Sequence, residues 1–156
     1  MKDDASRRDF LKSSVVTAAV AGGAGACVCG LSGCASSTTP KADQASIAVV
    51  DGKVLVDLAK VPALQSAGGS VQMSGEGLPG PIIVVRPKED EYVALSMKCT
   101  HFGRPIDYDH ASGKLRCISF GHSEFGLDGK VLKGPAKKPL TVYASALKEN
   151  TLEIMV

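Results

Sequence analysis

Tryptophan is absent from the 156 residues and aromatic side chains amount to only 4%, whereas glycine occurs 17 times. That balance suits short strands and many turns better than a helical bundle. Strong charge of one sign is missing too: the formal net charge is +2, and Lys and Arg are scattered along the chain. Without a basic cluster in the sequence there is no electrostatic footprint for nucleic acid, and no nucleic-acid partner is expected. No internal repeat is visible, and the length suits one domain once a targeting segment is set aside.

Charge is missing altogether from Ser13 to Pro40, a run rich in Ala, Gly, Val and Ser, while Lys2, Arg7, Arg8 and Lys12 all precede it. A charged start, an apolar middle and a small-residue end describe an export signal rather than part of a fold. Within it, Ser6-Arg7-Arg8-Asp9-Phe10-Leu11-Lys12 resembles the twin-arginine export signal; the plainer alternative is a basic flank before a Sec-type signal. Twin-arginine export carries folded proteins, so a metal cluster can be inserted in the cytoplasm first. Leu31-Ser32-Gly33-Cys34 resembles the lipobox of bacterial lipoproteins, whose Cys becomes the N-terminus after its thiol is diacylated. Two or more acyl chains, at about 0.8 kcal/mol per buried methylene, make a stable anchor. The competing reading is an uncleaved transmembrane helix, since the uncharged run is long enough to span a bilayer. Together these resemblances imply a signal peptide over 1–33, a lipidated flexible tether over 34–45 and a folded domain over 46–156. The mature protein is then expected at the extracytoplasmic, periplasmic face of a membrane, held by Cys34. Cys27 and Cys29 are lost with the signal.

Beyond the tether, short apolar runs alternate with Gly, Pro and Asp. Ser46–Val50 and Lys53–Leu58 flank Asp51-Gly52, a strong hairpin signal. Pro81–Arg86 reads as a buried strand, and Tyr92–Met97, Lys114–Ile118, Lys130–Leu132, Leu140–Tyr143 and Thr151–Met155 as further strands. Asp128-Gly129 marks a second tight turn. Strands this short at this spacing predict an all-β, antiparallel protein of sandwich or small-barrel type. Only Tyr143–Lys148 has any helical appeal, and it is too short to matter.

Two Cys and two His alternate in the predicted domain: Cys99-Thr100-His101, then Cys117-Ile118-Ser119-Phe120-Gly121-His122. Each pair sits where a strand runs into a Gly-containing loop, and loops on a rigid sheet are where function gathers. Three chemistries use such a set. A Cys99–Cys117 disulfide suits an exported protein but leaves both His residues unexplained. A structural zinc site uses the same ligand types, but it usually pairs Cys with Cys and His with His at short spacing. A 2Fe–2S cluster with two thiolates on one iron and two imidazoles on the other accounts for all four.

The surrounding sequence resembles the Rieske family. Its first loop typically reads Cys-Thr-His-x-Gly-Cys, matched here by Cys99-Thr100-His101-Phe102-Gly103-Arg104. Its second typically reads Cys-Pro-Cys-His-Gly-Ser-x-Phe, then Asp-Gly, a strand and Gly-Pro-Ala. Here Cys117 to Phe125 is followed by Asp128-Gly129-Lys130-Val131-Leu132-Lys133-Gly134-Pro135-Ala136 and Pro139-Leu140. The resemblance covers about Tyr92 to Tyr143. It implies an antiparallel β-sandwich with a small cluster-binding subdomain made of two loops, and Cys99, His101, Cys117 and His122 as metal ligands. Four residues stand between Cys117 and His122 where the family has two. An alternative register would put Ser119 at the ligand position, but a hydroxyl binds iron poorly beside soft sulfide. In the Cys117 register Ser119 and Arg104 stand where many members have a loop-tying disulfide, so both halves are missing together. The resemblance further implies that Ser123 donates a hydrogen bond to a cluster sulfide. It also places Phe125 where high-potential members have a Tyr, Gly103 in the first loop, and Pro135 in a loop shielding the cluster. His110 reads as a solvated loop residue, and Lys137 and Lys138 as a solvated face.

The function so implied is one-electron transfer by an exported, membrane-anchored carrier, with a redox protein as donor or acceptor and proton uptake possible at His101 or His122. The protein is then an electron carrier rather than a stand-alone enzyme. An alternative is the iron–sulfur subunit of a quinol-oxidising bc-type complex or a molybdenum oxidase. One of another class is a cluster-free binding module on the same fold.

Overall fold

Four consecutive aliphatic residues, Ile82-Ile83-Val84-Val85, are all fully buried, and they fix the layering of the molecule. In the computed structural model, which describes residues 37–156, they lie on a strand covered on both faces. The signal expected over 1–33 with Arg7 and Arg8, and Cys34, lie outside the described residues.

Twelve strands run in chain order: β1 Ile47–Val50, β2 Lys53–Asp57, β3 Ser70–Met73, β4 Ile82–Lys88, β5 Glu91–Ser96 and β6 Ile106–Asp109, then β7 Lys114–Cys117, β8 Glu124–Phe125, β9 Val131–Lys133, β10 Val142–Tyr143, β11 Ser145–Lys148 and β12 Thr151–Met155. They form three four-stranded sheets in the orders β1-β2-β12-β11, β10-β5-β4-β3 and β6-β7-β8-β9. Every pairing is antiparallel, and among the described residues the only helical segments are single 3-10 turns. The all-β, antiparallel expectation therefore holds.

Successive side chains of a strand point to opposite faces, so β4 serves two cores. Ile82 and Val84 pack with Val54, Val56, Leu152 and Ile154 of the first sheet. Ile83 and Val85 pack with Leu95, Leu115 and Phe125 on the other side. Each such side chain, fully buried, contributes about 1.5–3 kcal/mol. The Asp51-Gly52 turn joins β1 to β2 with both residues at positive φ, 48° and 74°, as a two-residue hairpin requires.

Four strands were not anticipated. β3 alternates cleanly, burying Val71 and Met73, but it is only four residues long. β6 and β8 are too polar or too short to stand out. The segment with helical appeal, Tyr143–Lys148, instead supplies β11, because pairing Ser145 with Ile154 and Lys148 with Thr151 overrides weak local preference.

The tether expected over 34–45 is packed against the domain in its described part. The Ser37 hydroxyl donates to Asp107, as do the Thr38 N–H (3.0 Å), Thr38 Oγ1 (3.1 Å), Thr39 N–H (3.3 Å) and Thr39 Oγ1 (2.8 Å). Gln72 N–H then donates to Pro40 O (2.8 Å) and Ala42 N–H to Gln72 O (2.9 Å), so the strap lies along the edge of β3. Ser/Thr composition suggested slack chain; here the same hydroxyls and amides surround one carboxylate. Burial raises the pKa of Asp107, but the hydrogen bonds from Ser37, Thr38 and Thr39 outweigh it and hold the group below its usual 3.8. A carboxyl depressed by folding stabilises above its unfolded pKa, and that contribution is lost as pH falls through the folded value. The protection factors of the Thr38 and Thr39 amides, corrected for intrinsic exchange, are therefore expected to fall as the pH drops through the lowered pKa of Asp107. Asp107→Asn should show the lowered protection at neutral pH.

Candidate metal centre

β5 and β10 are neighbours, with Leu95 paired to Val142 and Ala94 to Tyr143. Everything between them, the whole third sheet and its loops, is an insertion whose two ends leave the second sheet side by side. Its connecting loops, 97–105, 118–123 and 134–141, are tied to one another. Ile118 N–H donates to Pro105 O at 3.1 Å, Cys117 N–H to Ser123 O at 2.9 Å, and Thr100 Oγ1 to Lys138 O at 2.7 Å. Hydrogen bonds and packing thus join the loops where Arg104 and Ser119 leave no disulfide.

Cys99 and Cys117 are both free and buried, at 2% and 0% exposure, in the core shared by the second and third sheets. Burial pushes the Cys99 thiol up. The backbone N–H groups of His101 and Phe102 pull it down, and the adjacent Cys117 thiol pushes it up again. A neutral thiol is the favoured state until something positive binds. Cys99 N–H donates to Arg104 O (2.8 Å) and Gly103 N–H to Cys99 O (2.7 Å), closing a tight loop in which Gly103 takes φ 66°. His101 lies within that turn. His101 Nδ1 is buried with no hydrogen-bond partner, and its ring lies 3.8 Å from that of Phe102.

His122 stands on the facing loop. It is exposed, at φ 40°, beside Gly121 at φ 107°, and its Nδ1 lies 3.4 Å from Cys117 O. A non-glycine residue at positive φ is uncommon and marks a site where the surroundings dictate the backbone. The extra residues between Cys117 and His122 are accommodated in this sharp tip.

The remaining expected residues have varied surroundings. Ser123 is buried and its hydroxyl accepts from Ala136 N–H at 3.1 Å, tying down the Gly-Pro-Ala loop. A Cβ at Gly134 would lie 2.6 Å from Ser123 Cα, so only glycine permits that approach. Pro135 covers Gly121, where a Cβ would be 3.4 Å from Pro135 Cγ. Phe125 is fully buried among the core residues around the thiols. His110 is exposed, 3.3 Å from Tyr108 Oη. One contact went unforeseen: Ser119 Oγ sits 2.9 Å from Cys117 Sγ. Its signal was a hydroxyl two residues beyond a buried cysteine.

Among the described residues, no three His, Cys, Asp or Glu side chains gather around one point as a single metal ion requires. A two-iron cluster takes its donors two and two. Two adjacent buried thiols, a buried imidazole nitrogen without a partner and a second imidazole on the opposite loop tip fit that demand.

The Rieske [2Fe-2S] domain model matches residues 34–144. The chain is 44% identical over 46 residues to the chloroplastic cytochrome b6-f complex iron-sulfur subunit of Bigelowiella natans, covering 30% of this chain and 18% of that protein. It is 30% identical over 88 residues to the corresponding subunit of Volvox carteri, covering 56% and 42%. The chain therefore spans less than half the length of these relatives. Among solved structures, the plasma membrane Rieske protein of Synechocystis PCC 6803 is 32% identical over 55% of this chain and 86% of that one, with a TM-score of 0.48. The ferredoxin of carbazole 1,9a-dioxygenase from Nocardioides aromaticivorans IC177 is 18% identical over 64% and 95%, with a TM-score of 0.52, a likeness in fold. With the family match running over most of the chain, and buried thiols and imidazoles suited to its cofactor, the chain belongs to the Rieske [2Fe-2S] domain family and is a 2Fe–2S protein.

Proposed function

We propose that this chain is an exported, membrane-anchored one-electron carrier, with Cys99 and Cys117 on one iron and His101 and His122 on the other. The observation that carries the ligand assignment is the orphaned, buried Nδ1 of His101 in the same tight turn as Cys99, one of two buried free thiols. When bound, the cluster supplies one-electron exchange within the family's span of about −150 to +300 mV. Cys99 and Cys117, both buried in the apolar core, would hold one iron away from water. His101 turns Nδ1 inward, which leaves its Nε2 to hold the exchangeable proton on the outer side. There a cavity of about 500 Å³ is lined by Thr100, His101, Pro135, Lys137 and Lys138. With the group bound, His101 and His122 would be the ligands nearest the protein edge, the side open to a redox partner.

Export and anchoring rest on the Arg7-Arg8 signal and on Cys34 in its lipobox-like setting. No helix among the described residues is long and apolar enough to cross a membrane. A second reading, the iron–sulfur subunit of a quinol-oxidising complex, is favoured by the names of the sequence relatives. Mass spectrometry of the mature N-terminus separates the two: a diacylated Cys34 supports the carrier, and an intact N-terminal segment supports the subunit.

The deciding experiment is an EPR spectrum of the dithionite-reduced protein, with iron and sulfide assayed on the same sample. A rhombic mixed His/Cys signal with two irons and two sulfides per chain is expected. A silent, iron-free sample overturns the electron-carrier reading and leaves a cluster-free module. On the same preparation, Ser119→Ala should lower the reduction potential by roughly 40 mV. This takes about 1 kcal/mol for the lost hydrogen bond to Cys117 Sγ, and about 59 mV per tenfold in a one-electron couple.

A further inference from the structure

We infer that the loop tip around His101 is a docking face for a small electron-transfer protein with an acidic surface; this rests on the carrier reading above. The three loops that build the tip, 97–105, 118–123 and 134–141, contain Lys98, Arg104, Lys137 and Lys138 and not one Asp or Glu. Residues 37–156 as a whole hold fourteen Lys and Arg against thirteen Asp and Glu. The tip therefore carries +4 and everything else −3, a dipole hidden in a near-neutral chain. All four cations are exposed, and none enters an ion pair among the described residues. The remaining acids are partly neutralised elsewhere, for example Glu124 by Lys114 and Arg116 at 3.4 and 3.5 Å.

Within this cationic rim stand two of the most exposed large apolar side chains, Phe102 at 71% and Phe120 fully exposed. Phe102 abuts the His101 ring, and Phe120 precedes Gly121, which Pro135 covers. An apolar centre with aromatic anchors and a charged rim is the anatomy of a specific protein interface. Its position fixes the kind of partner. The imidazole edge is the short way out for an electron, so the occupant must bring a redox centre there. Like charge repels and opposite charge steers, so its docking face is acidic. A lipid surface with anionic headgroups satisfies the same charge, but it would cover the electron exit with an insulating layer.

The test follows oxidation of the EPR-verified, full-length protein by two c-type cytochromes of similar potential, one with an acidic and one with a basic docking face, across ionic strength. At low salt the acidic cytochrome should react about tenfold or more faster than the basic one, and the difference should close at high salt as screening shortens the Debye length. Lys137→Glu/Lys138→Glu should reverse the preference while leaving the EPR signal intact. Phe120→Ser should slow the acidic cytochrome at every salt concentration. Equal, salt-independent rates with an intact signal overturn the docking face and leave the carrier reading standing; an absent signal overturns both. Slowing of the acidic cytochrome by phosphatidylglycerol vesicles, but not by neutral vesicles, would assign the face to lipid and overturn the proposal.

Discussion

Replacing Cys117 by serine is expected to take the protein from two irons per chain to none and to erase the rhombic signal, with the strands still formed. A serine hydroxyl remains protonated at neutral pH and is a hard donor beside soft sulfide, so it offers iron a poor substitute for a thiolate. The site also gives no help from outside. Cys117 has no exposure, so no water or buffer ligand can stand in for the missing sulfur. Folding should survive because the change is nearly isosteric and Ser119 Oγ, 2.9 Å from Cys117 Sγ, can pair with the new hydroxyl. Iron and sulfide assays beside far-ultraviolet circular dichroism check both halves. Retention of two irons by a folded Cys117→Ser protein would remove Cys117 from the ligand set and point to Ser119 or another register.

Phe125→Ala is expected to cost about 3–5 kcal/mol, the range for emptying a fully buried aromatic position. The third sheet is small, and β8, which carries Phe125, is two residues long. Its hydrogen bonds alone cannot hold it. Phe125 lies opposite Leu115 on β7 and in one core with Leu95, Ile106, Cys99 and Cys117. A cavity there loosens the floor under both thiols, so iron should be released faster in a chelator challenge as well as the urea midpoint falling. Phe102→Ala is the contrast: with its ring 71% exposed, stability should move by no more than about 0.5 kcal/mol. If the two variants behave alike in urea, the core is not organised around Phe125.

What could be seen in the sequence divides along the range of the interactions. The Ile82–Val85 run announced a buried strand because burial on both faces leaves no polar alternation to miss. Asp51-Gly52 announced its hairpin because positive φ is a local demand. β3, β6, β8 and β11 exist through their partners, and a strand of two to four residues has little pattern of its own. The Cys and His pairs were legible from spacing and from the flanking Gly-Pro-Ala loop. Their support was less so. Ser123 accepts from Ala136 N–H, a contact made only when residues thirteen apart meet. The cations of the tip looked scattered because three separate stretches supply them, and only the insertion between β5 and β10 gathers them.

The strap over Asp107 governs how the domain bears mechanical load. A pull on the chain upstream of Ser37 enters through hydrogen bonds to Asp107 in β6 and then through Gln72 in β3. These belong to the third and second sheets, on either side of the core that contains Cys99 and Cys117. Tension is therefore shared by two layers at once rather than peeling one edge strand. A tug on residues 37–42 would meet its first resistance at β6, whose Ile106 pairs with Cys117, so the strap and the third sheet would take the load together.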